Sequence, residues 1–423
     1  MKIQKINTQL IKPLTPTPPN LTNYKISFLD KCLSPMNLAV LLFYQSKPES
    51  QPHLQESLAR ILVDFYPLAG RYIKEQSLVH CNDDGAEFVT AQATDVDLND
   101  VIGTNDADIL QHVYPDSYYR CDEDASNPLL SIQATHFPCG GAIIAVSVSH
   151  RIFDIPSITT FISAWSSVHH PNKSVQVTPS FNIPSLLPCK EHNFGVHLKR
   201  SSAEEPKIIA KRLLFDKAAL ASLKSKLKPN TISDGEIVSG VIAKALVRLD
   251  RAKHGKNREF VVFQPINMRE RTIPPQSKHV CANLTFTTLT APVAASEEIE
   301  VQEIVDVIGE GVRANVAELA GILSRDTDGR DIIIKSLGSL MKAISNRETN
   351  FIVFSDCSEF EFYEADFGWG KPVWTTITPQ RLRSNATVLM RNREGDGIEA
   401  WVHLYQDDMP RFQEDEDITP FAH

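Results

Sequence analysis

The alternation of hydrophobic and polar positions predicts helices and strands in turn along the first part of the chain. Apolar residues follow a helical period over 55–64, and the pattern stops before Pro67. Residues 129–137 and 142–149 alternate instead, and the Pro-Cys-Gly-Gly turn between them predicts a β-hairpin. The second arm is apolar or small on both faces, which is typical of an internal strand. From Pro156 onward the spacing is that of an amphipathic helix.

A similar alternation resumes after a stretch that has little periodicity. Residues 169–206 are rich in proline, which favours a crossover between domains. Beyond them, strands are predicted at 208–215, 260–265, 285–288, 350–355, 386–390 and 397–404. Helices are predicted at 217–227, 233–249, 300–323 and 330–346. We therefore predict an N-terminal domain over 1–168, a crossover linker over 169–206 and a C-terminal domain over 207–423.

The composition narrows the classes of partner. A chain of 423 residues with 42% hydrophobic and 22% charged residues is globular, and its length predicts more than one domain. A net charge of −9 argues against nucleic acid and anionic membranes as partners, and no apolar run is long enough to span a bilayer. The N-terminus lacks the apolar core of a secretory signal, so we expect a cytoplasmic protein. We also expect a monomer that acts on small molecules.

The cysteines argue against two further classes of site. The chain holds seven of them, an odd number, and they are scattered without a Cys-x-x-Cys pair. This usage is typical of reduced thiols in a reducing compartment rather than of a disulfide framework or a zinc site. No bound metal is therefore expected.

One histidine stands out among four that share a weak pattern. His-x-x-x-Asp begins at His80, His112, His150 and His403, so the spacing alone carries little information. His80 and His112 precede predicted turns, and His403 ends a strand before an acidic tail. Only His150 lies between a predicted buried strand and an amphipathic helix, where catalytic groups are commonly presented.

The side chains at 150 and 154 suit acid–base chemistry. The ordinary pKa of imidazole lies near neutrality, so His150 could take a proton from a hydroxyl that attacks an ester or a thioester. The alternative interpretation is a core histidine whose hydrogen bonds are satisfied. Asp154 is either the N-cap of the following helix or a carboxylate paired with a basic residue. In both interpretations it supports the loop and does not transfer the proton itself.

Longer motifs give His150 a context along the whole chain. His150-Arg-Ile-Phe-Asp154 is followed by Asp366-Phe-Gly-Trp-Gly370, and three shorter motifs keep the same family order: Phe65-Tyr-Pro-Leu-Ala-Gly-Arg71, Gln264-Pro-Ile-Asn-Met-Arg269 and Asp396-Gly-Ile-Glu-Ala400. With these motifs the chain resembles the plant BAHD acyltransferases over nearly its full length. Its proline-rich N-terminal segment is similar to that of the alkaloid-acetylating branch.

The resemblance implies both a fold and a reaction. The fold would be α/β, with two similar-sized domains of chloramphenicol-acetyltransferase-like fold around a central channel. The reaction would be acyl-CoA-dependent transfer of an acyl group to a hydroxyl of a plant specialised metabolite such as an alkaloid or a terpenoid. Acetyl-CoA would be the co-substrate, and no bound cofactor is implied.

The resemblance also implies roles for individual residues. His150 and Asp154 would be catalytic: His150 as the general base, and Asp154 as a carboxylate that turns away to pair with Arg269. Three residues of the second half would bind the acyl-CoA: Ser233, Ser355 and Lys371. A structural role is implied for Arg269, Asp366, Gly368, Trp369 and Gly370. Two glycines and an aromatic residue also suit a tight turn better than a proton relay.

Three departures from the family pattern keep a second function open. Cys357 stands where the family often has a tryptophan that is assigned to stabilising the oxyanion, and a thiol is a weak donor. Asp356 and Glu359 are acidic, and Glu359 would repel a CoA phosphate nearby. These residues favour, as the alternative, a repurposed enzyme that performs CoA-independent cyclisation, elimination or isomerisation through His150. A binding protein with a relic site is a third hypothesis.

Overall fold

The computed structural model describes residues 1–46, 51–120, 122–168, 177–189, 206–228, 232–296, 299–324, 328–377 and 384–421. Of the predicted linker 169–206, residues 169–176 and 190–205 lie outside the described residues. The part between them contacts both halves of the chain. Ser180 bridges to Val280, and Pro188 bridges to Ser27.

The first half supplies most of one large sheet. Its strands are β1 (Ile3–Ile11), β2 (Asn23–Lys25), β3 (Asn37–Tyr44), β4 (Arg71–Ile73), β5 (Leu78–His80), β6 (Ala86–Ala93), β7 (Leu130–His136) and β8 (Ala142–Ser149). Its helices are α1 (Phe28–Cys32), α2 (Gln51–Ile61), α3 (Leu98–Ile102) and α4 (Ile155–Ser167), and α5 (Ile183–Leu186) follows. Strands β2, β5 and β4 form a separate small sheet.

The predicted hairpin is confirmed, and it forms the interior of the large sheet. β8 pairs antiparallel with β7 on one side and with β3 on the other. All residues of β8 except the last are buried, as the two apolar faces predict. Because Asn37 lies opposite Ser149, the first residue of β3 is next to the end of β8. The predicted helix after Pro156 is also confirmed as α4.

The second half supplies the other large sheet and the longer helices. Its strands are β9 (Ile208–Phe215), β10 (Glu259–Asn267), β11 (Thr285–Leu289), β12 (Val293–Ala294), β13 (Asn350–Asp356), β14 (Trp374–Thr376), β15 (Ala386–Arg391) and β16 (Ile398–Tyr405). Its helices are α6 (Lys217–Ser225), α7 (Asp234–His254), α8 (Val301–Leu319), α9 (Gly329–Ser345) and α10 (Met409–Gln413). No helix of the described residues is both long enough and apolar enough to cross a bilayer.

The second sheet has helices packed on one face. The strand order is β11-β10-β13-β15-β16-β9, and β12 pairs with β10 at its edge. Side chains of α7 and α8 form a buried cluster with alternate residues of the central strands, among them Phe260, Ile352 and Phe354. The opposite face is directed toward the first half of the chain, because Ala210, Val388 and Trp401 belong to the first core.

One short strand joins the two halves. β14 pairs antiparallel with β3, so the first sheet has the order β1-β6-β7-β8-β3-β14. The predicted division assigns this segment to 207–423, whereas the sheet topology places it with the first half. Phe362, Phe367 and Trp374 all pack in the first core. The physical reason is burial: β14 pairs with the otherwise open edge of β3, and these aromatic side chains leave solvent for the first core.

The loop before β14 is held by its own carboxylate. Oδ1 of Asp366 accepts hydrogen bonds from the backbone N–H groups of Gly368 (2.8 Å) and Gly370 (3.0 Å). Both glycines have positive φ, 99° and 106°, which side chains disfavour. The Trp369 ring stacks on Phe367 with 5.5 Å between ring centroids. The loop therefore has the tight-turn geometry that its composition predicts.

Two glycine-to-alanine substitutions, one in this loop and one in a helix, should have opposite effects on stability. Gly370→Ala should destabilise the protein by about 1–3 kcal/mol, because the new Cβ would meet no atom but the backbone would stay at φ 106°. Gly338→Ala, in exposed α9, should stabilise it by roughly 0.5–1 kcal/mol, because alanine favours a helix over glycine. The free energy of unfolding in urea measures both changes, and equal effects would contradict the loop assignment.

Candidate active site

His150 follows the last residue of β8 and is half-buried. Its backbone N–H donates to the carbonyl of Met36 at 2.9 Å, which joins the end of β8 to the chain just before β3. Its Nδ1 lies 2.9 Å from the carbonyl oxygen of Phe153. A carbonyl can only accept, so Nδ1 must carry the proton in the neutral ring. Nε2 is then left as the ring's proton acceptor.

The surroundings of His150 favour the neutral imidazole. Burial lowers the pKa of His150 from its ordinary value, although the hydrogen bond to Phe153 and the nearby carboxylate of Asp154 act in the opposite direction. A lowered pKa means that the ring is unprotonated at neutral pH. The geometry and the charge state together suit a general base.

Asp154 makes both contacts that its two sequence interpretations require. As the N-cap of α4, its Oδ1 accepts from the backbone N–H of Ser157 at 3.0 Å. It also forms a bidentate ion pair with Arg269, with Nη2 to Oδ1 at 2.8 Å and Nη1 to Oδ2 at 3.0 Å. Its Oδ2 further accepts from the backbone N–H of Leu284 and the hydroxyl of Thr285. The carboxylate therefore ties the loop after β8 to the segment before β11.

The ion pair keeps Asp154 ionised and occupies its carboxylate oxygens. Asp154 and Arg269 are almost completely buried. Burial alone would raise the pKa of Asp154, but the charge and hydrogen bonds of Arg269, together with hydrogen bonds from Ser157 and Leu284, hold that pKa below its ordinary value. A carboxylate whose oxygens are already occupied in this way cannot exchange a proton with a substrate. Its contribution is to position the loop that carries His150.

Two buried residues to which the sequence analysis assigned no role also hold this loop. Asn283 donates from Nδ2 to the carbonyl of His150 at 2.9 Å and to Oδ1 of Asp30 at 2.7 Å. Asp30 is fully buried in a capping box with Ser27 at the start of α1, and burial raises its pKa to about 6. The spacing of Ser27 and Asp30 is a recognisable capping signal. Their approach to Asn283, however, depends on a fold contact across more than 250 positions.

The three residues expected to bind acyl-CoA occupy different surroundings. Ser233 is the exposed N-cap of α7, where its hydroxyl lies 2.9 Å from Oε2 of Glu236. Lys371 is exposed and pairs with Glu364 at 2.7 Å. Ser355 is half-buried near the end of β13. Among the described residues, no group of His, Cys, Asp and Glu side chains is arranged to hold a metal ion.

Of the residues that departed from the family pattern, Asp356 points away from Ser355. Oδ1 of Asp356 accepts from the backbone N–H and the hydroxyl of Ser358, and Oδ2 lies so close to Gly235 that a Cβ there would be 1.9 Å away. Burial raises the pKa of Asp356 above its ordinary value. Cys357 is buried in the first core, and burial raises the pKa of its thiol. Because successive strand residues face opposite sides, Asp356 is directed into the α7 layer.

Comparison with known proteins decides the family. A model of the Transferase family matches residues 1–419, and this is the family of the BAHD acyltransferases. The chain belongs to the BAHD acyltransferase family. The expectation drawn from the sequence motifs is therefore confirmed, and so is the expectation of an enzyme.

Three comparisons place this BAHD acyltransferase among characterised relatives. It is 52% identical over 423 residues, the whole of both chains, to a pelargonidin 3-O-(6-caffeoylglucoside) 5-O-(6-O-malonylglucoside) 4'''-malonyltransferase of Salvia splendens. It is 31% identical to vinorine synthase of Rauvolfia serpentina, with 96% of this chain and 95% of that enzyme covered. The crystal structure of vinorine synthase matches with a TM-score of 0.85 at 28% identity, covering 100% of this chain and 98% of that chain. The expected α/β, chloramphenicol-acetyltransferase-like fold is thus confirmed.

The Asp154–Arg269 pair gives a stability prediction for this BAHD enzyme. Arg269→Gln should destabilise it by about 3–5 kcal/mol, because the carboxylate would stay buried without its counter-charge. The double variant Asp154→Asn/Arg269→Gln should lose less than the sum of the two single variants. Urea unfolding measures all three.

An ion pair on the surface serves as the control for these three variants. Lys335 and Glu318 lie 2.6 Å apart but are largely exposed, so Lys335→Met should leave the free energy of unfolding nearly unchanged. If the buried and the exposed pair gave equal losses, the stabilising role of the buried ion pair would be refuted.

Proposed function

We propose that this enzyme transfers an acyl group from a CoA thioester to a hydroxyl, with His150 as the general base. The observation that carries the proposal is the hydrogen bond from Nδ1 of His150 to Phe153. It leaves Nε2 as a proton acceptor on a half-buried ring whose pKa is lowered. Membership of an acyltransferase family supports the reaction class.

The reaction needs one group that accepts and returns a proton. Nε2 of His150 takes the proton of the acceptor hydroxyl as its oxygen attacks the thioester carbonyl carbon. The tetrahedral intermediate then collapses, the C–S bond breaks, and the imidazolium returns the proton to the leaving sulfur. The products are the ester and free CoA thiol. No bond to the enzyme forms, and Asp154 remains paired with Arg269 throughout.

For the oxyanion we propose Ser355 as a hydrogen-bond donor, because Cys357 is buried in the first core. Ser355 is half-buried, and strand alternation directs it opposite to the acidic side chain of Asp356. Ser233, at the N-terminus of the 21-residue helix α7, and Lys371 are proposed to contact the CoA part of the donor. The positive end of α7 favours anionic groups.

The first donor to test is malonyl-CoA, and the first acceptor class is an acylated anthocyanidin glucoside. This choice rests on the 52% identity to the Salvia splendens malonyltransferase over both whole chains. The acetyl-CoA donor expected from the sequence, with an alkaloid or terpenoid acceptor, is the second candidate. Vinorine synthase, at 31% identity, and stemmadenine O-acetyltransferase of Catharanthus roseus, at 30%, support it.

The test measures ester formation and thiol release with each donor. His150→Ala should reduce kcat/KM by about 10²–10⁴-fold, because the proton acceptor is lost. His112→Ala is the matched control, since this exposed histidine shares the His-x-x-x-Asp spacing and should keep full activity. Turnover without any CoA ester would contradict the proposal and support the CoA-independent alternative.

The pH dependence follows from the direction of the His150 shift. Because the pKa of His150 is lowered, kcat/KM should be constant near neutral pH and fall only below the ordinary histidine value of about 6.5. Rates measured in buffers of constant ionic strength check this. An acid limb that begins above pH 7 would contradict it.

A further inference from the structure

Arg151, the residue after the base, is buried and makes contacts in three directions. Only 6% of it is exposed, although it lies next to the half-buried His150. Its Nη1 donates to two backbone carbonyls at the end of α1, that of Asp30 at 2.7 Å and that of Leu33 at 2.9 Å. A guanidinium that binds the last carbonyls of a helix stabilises that helix end.

The other side of the Arg151 guanidinium contacts a carboxylate and an aromatic ring. Nη2 lies 2.5 Å from Oε1 of Glu123, whose side chain is 11% exposed. The carbon of the guanidinium lies 5.5 Å from the centroid of the Tyr72 ring, within cation–π range. Glu123 is also paired with Lys74 at 3.2 Å, but Lys74 is 56% exposed. Arg151 therefore joins the end of α1 to two other segments of the first half.

These contacts fix the chain that borders His150. Residues 33–37, here called the 33–37 segment, run from the end of α1 to the first residue of β3. The carbonyl of Met36 in this segment accepts the backbone N–H of His150. Met36 itself is 37% exposed, so the segment is open to solvent where its backbone meets that of His150. The segment is held at one end by Arg151 and near its other end by His150.

We propose that Arg151 is a positioning residue that sets the affinity for the acceptor by fixing the 33–37 segment beside His150. The inference rests on the proposed function. The residues proposed for the donor, Ser233 and Ser355, belong to α7 and β13 of the second half. The 33–37 segment belongs to the first half and meets the backbone of His150, so the proposal assigns it to the acceptor side of the site.

The geometry requires the forked side chain and not only its charge. Arginine places separate N–H groups toward two carbonyls and a carboxylate at once, whereas lysine offers one compact ammonium. Arg151→Lys keeps the charge near Glu123 but cannot reach the carbonyls of Asp30 and Leu33 at the same time. This variant therefore isolates the positioning role from the charge.

The experiment compares steady-state kinetics of Arg151→Lys with those of the wild type. We expect the KM for the acceptor to rise about tenfold, since charge-assisted hydrogen bonds to the segment are lost. The KM for the CoA ester, kcat and the acid limb of the pH profile should stay within about twofold of the wild type. A merely structural role would lower thermal stability and leave the acceptor KM unchanged, and that result would overturn the proposal.

Lys74→Met is the matched control. It removes the exposed partner of the same Glu123 but no contact to the 33–37 segment, so all kinetic constants should be unchanged. An acceptor KM that rose equally in both variants would assign the effect to Glu123 and contradict the proposal.

Amide hydrogen exchange separates this inference from the proposed function. Exchange over residues 31–37 should be faster in Arg151→Lys than in the wild type and in Lys74→Met. Faster exchange without any acyl transfer by the wild type would overturn the proposed function and the acceptor role while supporting the anchoring by Arg151. Unchanged exchange would overturn the anchoring whatever the activity.

Discussion

The geometry of the site depends on one buried ion pair, between Asp154 and Arg269. A carboxylate without a counter-charge could not remain ionised in this interior, and a guanidinium alone would be equally costly. Together they connect the start of α4 to the segment before β11, and the hydroxyl of Ser157 joins both. Because His150 lies four residues before Asp154, the pair also holds the loop from which the imidazole extends.

The same burial has opposite consequences for the two titratable groups of the motif. It disfavours the charged form of both, but only Asp154 has a cation in contact, so Asp154 stays ionised and His150 stays neutral. This difference supports the proposed roles independently of the motif. A neutral imidazole with a fixed Nδ1–H can accept a proton, whereas a saturated carboxylate can only hold the loop in place.

Local patterns predicted β8, α4 and the loop between them, because the period of the apolar residues changes there within a few positions. They could not predict that β14 joins the first sheet, since its three residues pair with a strand more than 300 positions earlier. The contacts of Asn283 and Arg151 could not be predicted for the same reason, because each joins segments that are far apart in the sequence. The direction of Asp356, in contrast, follows from strand alternation alone. Its carboxylate faces the side of the sheet opposite to Ser355, so its negative charge does not argue against the proposed role of Ser355.

The most direct test of the account is the ¹⁵N spectrum of His150 in uniformly histidine-labelled protein, assigned by its loss in His150→Ala, as a function of pH. The account predicts a neutral ring with the proton on Nδ1 and a pKa below about 6.5. A ring that carries its proton on Nε2, or one that is still charged at pH 7, would contradict it.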